Sequence, residues 1–217
     1  MVKKGEIFLE LVDSNSKIKK DLLKALATEA NKVLASNVRR IEKEIKLAVA
    51  RWVSSSDEFD AIETENAVNS LNAQLGLPAG QGALAVEQIK QAVISSIEIE
   101  LTSKKNKKID SISLTINVQP EDFRNILGLS SGVIVTDAGT GLEWLNWLIN
   151  LGTSTVVFGF SYTPSVDGRS GGGKMDSGGT WRVPPQYAGT IDNNFITRTL
   201  NGKQREIQKI LQGIFNG

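Results

Sequence analysis

The most constraining feature of the sequence is a stripe of apolar residues that recurs at steps of three and four between Ser16 and Trp52. Lysine, arginine and glutamate fill the positions between them, so the spacing predicts one long amphipathic helix. In its first part the apolar residues step by four, and the stripe drifts around the helix as if successive stretches pack on different neighbours. A core-facing helix and a coiled-coil seam both fit this pattern. The residues of the first part are Ile18, Leu22, Leu26 and Ala30. The residues that alternate steps of four and three are Leu34, Val38, Ile41, Ile45, Ala48 and Trp52.

Two further helices are predicted after this one. Serines and acidic residues before Phe59 suit the start of a second helix, which Gly76 and Pro78 end. Gly80 to Gly82 is predicted to be a flexible link before a third helix. Residues 1–96 are therefore expected to be mainly helical. The apolar positions of the two helices are Phe59, Ile62, Val68, Leu71 and Leu75, and Val86, Ile89 and Val93.

The apolar period changes to two near Ile97. Two alternating runs, Ile97 to Leu101 and Ile112 to Val118, predict an antiparallel hairpin. Glu98 and Glu100 fall on its solvent side. The tip carries four lysines, for which a solvated turn and a contact with phosphate or an acidic partner are the alternatives. These lysines are the candidates for facing DNA: Lys104, Lys105, Lys107 and Lys108.

The rest of the chain mixes short helices and strands. A helix is predicted from Pro120 to Gly128, a buried strand at Val133 to Val135, and an apolar helix from Leu142 to Leu151. Thr155 to Tyr162 and Trp181 to Val183 predict strands. Two closing helices follow the predicted cap Asp192-Asn193-Asn194, with a break at Gly202. We therefore predict an α+β fold. Its first half, residues 1–96, is helical, and residues 97–217 form a small antiparallel or mixed sheet with flanking helices, within one structural unit.

The amino-acid composition excludes several kinds of catalytic and metal site. The chain contains no cysteine and no histidine, which excludes thiol nucleophiles, Ser-His-Asp triads and zinc sites that use these ligands. We expect a protein that is not an enzyme and that uses neither a metal nor another cofactor. The net charge of +1 gives no global attraction to nucleic acid. Neither a secretory signal nor a membrane-spanning run is predicted, so no membrane partner is expected.

The glycine-rich segment Gly168 to Gly179 begins like a phosphate-binding loop, because a lysine follows the glycines at position 174. The next residue is Met175, where such a loop needs serine or threonine to hold magnesium, and Asp176 would repel a phosphate. We therefore predict a mobile loop of roughly a dozen residues that orders on assembly.

Residues 140–200 carry a resemblance. An apolar helix with Trp144 and Trp147 is followed by GRSGGGKM and then by WRVPPQYAGTIDNNFITRTL. This succession resembles the tail-completion or neck proteins of tailed bacteriophages. The resemblance implies a virion component, assembled in the bacterial cytoplasm, that forms a ring at the head–tail junction or at the top of the tail. Sheets and helices of such proteins surround the DNA channel.

The resemblance also implies partners. They are further copies of the chain in a hexamer, or alternatively a dodecamer, adjacent portal, adaptor, neck, tail-tube or terminator proteins, and DNA that passes without sequence recognition. A tail terminator or tube-associated protein is the nearest alternative. A nucleic-acid-binding module that uses the basic hairpin tip is the alternative from another class. The expected assembly contacts are Trp144, Trp147, Leu148, Arg169, Lys174, Met175, Trp181 and Phe195.

Overall fold

The fold is mixed α+β, as predicted, with a long amino-terminal helix and small antiparallel two-stranded sheets. Among the described helices, none combines the length and the apolar character that crossing a membrane requires. The architecture is given by a computed structural model that describes residues 14–105, 110–118, 122–136 and 139–216.

The chain divides into two compact units that interleave along the sequence, rather than dividing at residue 97. The first unit takes residues 1–39 and 99–116, and the second takes residues 40–98 and 117–217. Helix α1 (Asn15–Ser54) therefore contributes to both units.

The first unit contains the amino-terminal part of α1 and a hairpin of β1 (Glu98–Lys105) and β2 (Asp110–Asn117). The long helix and the hairpin were both predicted. Leu22 is 59% exposed and Leu26 is 58% exposed, so no part of the described chain covers these early apolar residues of α1. Their packing on a neighbour stays a prediction.

In the second unit, the carboxyl-terminal part of α1 enters the core. Ser56 caps α2 (Asp57–Glu63), accepting a hydrogen bond from the Phe59 amide at 3.2 Å. The predicted second helix does not continue to Leu75, because Asn66 and Asn69 adopt positive φ and a separate helix α3 (Leu71–Leu75) follows. The α1 residues buried here are Ile41, Ile45, Ala48, Val49, Trp52 and Val53.

Gly82 has a packing role, because it lies inside α4 (Gln81–Ser95) and not in a flexible link. A Cβ at this position would lie 2.2 Å from the Ile62 carbonyl oxygen at the end of α2. The absence of a side chain therefore lets α4 pack closely on α2, which corrects the prediction that Gly82 belongs to a flexible link.

Short elements lead from the hairpin to the next longer helix, α6 (Trp144–Asn150). Helix α5 (Arg124–Leu127) begins after Phe123, later than predicted, and Pro120 lies outside the described residues. A 3₁₀ turn (Ser130–Gly132) precedes β3 (Ile134–Val135), which pairs antiparallel with β4 (Gly141–Leu142). The predicted buried strand is therefore shorter, and only its central residue, Ile134, is buried.

The closing part of the chain forms the candidate site and its support. Helix α6 (Trp144–Asn150) lies in the core, and β5 (Thr155–Pro164) pairs antiparallel with β6 (Gly173–Arg182). Asn194 caps α7 (Phe195–Leu200) with a complete capping box, as its position predicted. Gly202, at φ 76°, separates α7 from α8 (Gln204–Asn216).

A partly buried ion pair joins two of these helices. Glu58 of α2 is almost fully buried, and its carboxylate accepts a hydrogen bond from the Arg198 guanidinium of α7. Arg198 also donates to the Ala188 and Asn193 carbonyl oxygens at 3.4 and 3.3 Å. These bonds satisfy a charged group that is costly to bury alone.

Candidate assembly surface

The longest sheet in the described residues is the ribbon formed by β5 and β6, each of ten residues. Pairing runs from Thr155 opposite Arg182 to Pro164 opposite Gly173. Two register shifts interrupt it, one near Val157 and one near Phe160. The second shift falls beside Gly159, Gly178 and Gly179, all at positive φ, where glycine allows the strands to bulge.

The glycine-rich segment is largely part of this ribbon. Gly173 to Gly179 lies in β6, and only residues 165–172 form the turn between the strands. The prediction of a mobile loop of about a dozen residues is therefore wrong. Its glycines and polar residues have weak strand propensity, and cross-strand pairing with β5 overrides that preference.

The turn at residues 165–172 is docked on α3 and on the segment before it. Arg169 donates two hydrogen bonds to the carbonyl oxygen of Gly76, at 3.2 Å from Nε and 2.9 Å from Nη2. The Gly172 carbonyl oxygen accepts from the Tyr162 hydroxyl at 2.8 Å and from the Asn69 amide at 3.2 Å. The turn is therefore hydrogen-bonded to the residue that follows α3, Gly76, and to one that precedes α3, Asn69.

Close approach explains why this turn needs glycine. A Cβ at position 172 would lie 2.3 Å from the Ala67 carbonyl oxygen, and one at position 171 would lie 2.5 Å from Asn66 Oδ1. The backbone that a phosphate-binding loop would offer to a ligand is therefore packed against protein. Lys174, which occupies the place of the phosphate-binding lysine, pairs with Asp176 at 3.6 Å.

The opposite end of the ribbon is anchored by tryptophan. Trp181 is buried, and its ring centroid lies 5.8 Å from that of Trp147 in α6. Its indole Nε1 donates to Gln74 Oε1 in α3 at 3.3 Å. The ribbon is therefore held at both ends. Neither contact covers the residues in its middle.

The middle of the ribbon exposes apolar side chains. Phe158 is 73% exposed, Phe160 is 48% exposed, and Met175 is 39% exposed. In the regular part of the pairing, Met175 stands opposite Tyr162, two residues from Phe160, so Met175 and Phe160 lie on the same face as Tyr162. Phe158 lies beyond the register shift at Gly159 and is the most exposed of the apolar side chains in the ribbon. We call Phe158, Phe160 and Met175 the exposed aromatic face.

Several predicted assembly contacts lie instead inside the subunit. Each is at most 9% exposed, and the Phe195 ring lies 5.6 Å from that of Phe59. They shape and anchor the surface from within, because a partner cannot reach them without unfolding the core. These residues are Trp144, Trp147, Leu148, Trp181 and Phe195.

The remaining candidates are placed differently. Arg169, Lys174 and Met175 are exposed, although the Arg169 guanidinium is engaged by Gly76. Lys104 and Lys105 are the last residues of β1, whereas Lys107 and Lys108 lie outside the described residues.

Phe158 and Phe160 were not among the predicted site residues. Their signal was available, because Phe158, Phe160 and Tyr162 alternate along the predicted strand and must share a face in a regular strand. The sequence did not show that this face lacks a covering layer.

Ionisable groups at the surface add little chemistry. Partial burial raises the pKa of the Tyr162 hydroxyl, while a backbone hydrogen bond at Asn69 acts in the opposite direction. Within the part of the chain that is described, no group of acidic residues could hold a metal ion. No family model, curated protein or solved structure matches the chain.

Proposed function

We propose that the chain is a structural subunit that assembles with copies of itself into a ring in the neck or at the head-proximal end of a phage tail. The ring joins head and tail around the DNA channel. The observation that carries self-assembly is the exposed aromatic face on a ribbon anchored at both ends. The place in the virion rests on the resemblance across residues 140–200.

The energetics favour contact through this face. Full burial of a phenylalanine side chain contributes about 1.5–3 kcal/mol. In the isolated subunit, Phe158 leaves most of that free energy unused and Phe160 leaves about half of it unused. Because the docked turn and the Trp181–Trp147 contact already order the ribbon, little additional ordering entropy opposes its burial.

The geometry of a ring sets a further condition. A closed ring with cyclic symmetry uses heterologous contacts, in which one surface of each subunit binds a different surface of the next. The exposed aromatic face supplies one such surface. A tail terminator or a tube-associated ring would use the same face, and it differs from a neck ring only in its position along the particle.

The test replaces the two phenylalanines. F158S/F160S is expected to destabilise the subunit by only about 1–2 kcal/mol, because Phe158 is mostly exposed and Phe160 is about half-buried, and to abolish ring formation in particles assembled with the chain. V135S is the matched control, since Val135 is also exposed and lies outside the ribbon. Rings of normal occupancy in the double variant, seen by electron cryomicroscopy, would contradict the proposal.

A further inference from the structure

The amino-terminal half of α1 carries lysines along one side. Because an α-helix has 3.6 residues per turn, four of its lysines lie within about 120° of arc. All four are exposed, and they extend over about 22 Å of the helix axis, at a rise of about 1.5 Å per residue. We call these four residues the basic face: Lys17, Lys20, Lys24 and Lys32.

The basic face contains no apolar side chain. Besides the lysines, the same arc between its first and last lysine holds one acidic and two neutral polar residues: Asp21, Thr28 and Asn31. Four lysines and one aspartate give the face a net charge of +3. Lys20, Lys24 and Lys32 form no ion pair within the described residues. Lys20 and Lys24 are like charges four residues apart, an arrangement that destabilises an isolated helix and that a bound anion relieves.

The charge of the chain is divided unequally between its two units. Residues 1–39 and 99–116 contain twelve basic and seven acidic residues, a net charge of +5. Residues 40–98 and 117–217 contain thirteen basic and seventeen acidic residues, a net charge of −4. The net charge of +1 for the whole chain therefore conceals a basic unit, and a basic unit attracts polyanions.

The composition of the basic face favours one class of partner. The core of a protein–protein interface is depleted in charged residues, and the basic face offers no such core. Interfaces with nucleic acid are polar and strongly basic, and lysine, threonine and asparagine are among the side chains that contact phosphate. The face has no aromatic side chain on which unpaired bases could stack, which favours a duplex over a single strand.

A lipid surface fits this half-helix less well. Binding to a lipid surface would bury the apolar side of the helix. Leu22 and Leu26 are exposed, but they lie about 120–160° around the helix from Lys20 and Lys24. Glu29 lies on the same side as the two leucines, and burial of its carboxylate in lipid is unfavourable. A phosphate backbone requires the lysines alone.

We propose that the basic face of α1 binds the phosphate backbone of duplex nucleic acid without reading its sequence. Lysine contacts phosphate as a point charge, and phosphate contacts position a protein on a duplex but do not specify a base. The contact adds a partner to the proposed ring. It does not rest on the ring, because only the charge and the composition of α1 carry it.

The test neutralises the basic face. K20Q/K24Q/K32Q retains helix propensity, because glutamine and lysine have similar values. In fluorescence anisotropy with a labelled DNA duplex, this variant of the full chain is expected to bind at least about tenfold more weakly at low salt. Each phosphate contact contributes about 0.9 to the slope of log affinity against log salt concentration, so the slope should decrease by about 2.7. Duplexes of unrelated sequence should bind the wild-type chain equally well.

The matched control is K43Q/R205Q/K209Q. These three residues are also exposed and lie outside the basic face, and their substitution changes the net charge by the same amount. The control is expected to keep the affinity and the salt slope of wild type. An unchanged slope in K20Q/K24Q/K32Q, or an equal loss in the control, would overturn the proposal.

Two further results would assign the lysines differently. Binding of the wild-type chain to phosphatidylserine vesicles but not to the duplex would indicate a lipid surface. Loss of duplex binding in K104Q/K105Q, with none in K20Q/K24Q/K32Q, would indicate the hairpin instead of α1. Either result contradicts the proposal.

The two proposals fail separately. A wild-type chain that does not bind the duplex removes this contact and leaves the proposed ring intact. Particles that lack a ring of this chain contradict the proposed function and leave the contact intact.

Discussion

Gly172→Ala is the substitution that most directly tests whether the glycine-rich turn is docked. Gly172 is buried, and a Cβ there would lie 2.3 Å from the Ala67 carbonyl oxygen and 2.6 Å from Ala73 Cβ. Neither neighbour is the end of a flexible side chain, so the turn itself must move. Overpacking of this kind costs about 1–3 kcal/mol.

Movement of the turn also weakens the hydrogen bonds that the Gly172 carbonyl oxygen accepts from Tyr162 and Asn69. Each such bond contributes about 0.5–1.5 kcal/mol. We therefore expect a destabilisation of about 2–4 kcal/mol. For a chain of this length, that corresponds to a decrease in Tm of roughly 4–16 °C.

The assay is urea unfolding followed by tryptophan fluorescence, with thermal unfolding as a second measurement. Gly213→Ala is the control, because a Cβ at that position in α8 meets nothing within 4 Å. It should stabilise the chain by about 0.5–1 kcal/mol through helix propensity. If G172A is as stable as wild type, residues 165–172 do not pack against Ala67 and Ala73, and the turn is a mobile loop.

Three further predictions concern the support of the surface. Arg198→Met should cost about 2–4 kcal/mol by leaving the buried Glu58 carboxylate unpaired, and E58L/R198M should recover most of that loss in urea unfolding; an unaffected single variant would contradict the role of the pair. Asn194→Ala should cost about 1–2 kcal/mol, because the Ile196 and Thr197 amides lose a cap at 3.1 Å; equal Tm values would refute it. The raised pKa of Tyr162 predicts stability that is fully present below about pH 10 and is lost as the pH rises through the folded-state pKa. Tyr162→Phe should lack this loss, so stability curves that stay parallel above pH 10 would contradict the assignment.

Elements with a strong period could be predicted from the sequence. The apolar steps of α1 and the alternation of β1 and β2 each match one backbone geometry, so these elements were identified correctly. The cap at Asn194 and the break at Gly202 were also recognisable, because they depend on local hydrogen bonding and local φ.

The errors arose where distant contacts determine the conformation. Gly82 and the glycines of β6 were interpreted as flexible, because a sequence does not show which backbone approaches a glycine in three dimensions. Similarly, Trp144 and Phe195 have the apolar character of either a core or an interface, and only packing separates the two.

The central claim is that copies of this chain contact one another through the ribbon. Electron cryomicroscopy of particles assembled with the chain tests it most directly. We predict a closed ring around the particle axis in which Phe158 and Phe160 lie buried against a neighbouring copy. A chain found as a single copy away from the axis, or a ring in which both side chains face solvent, would contradict the claim.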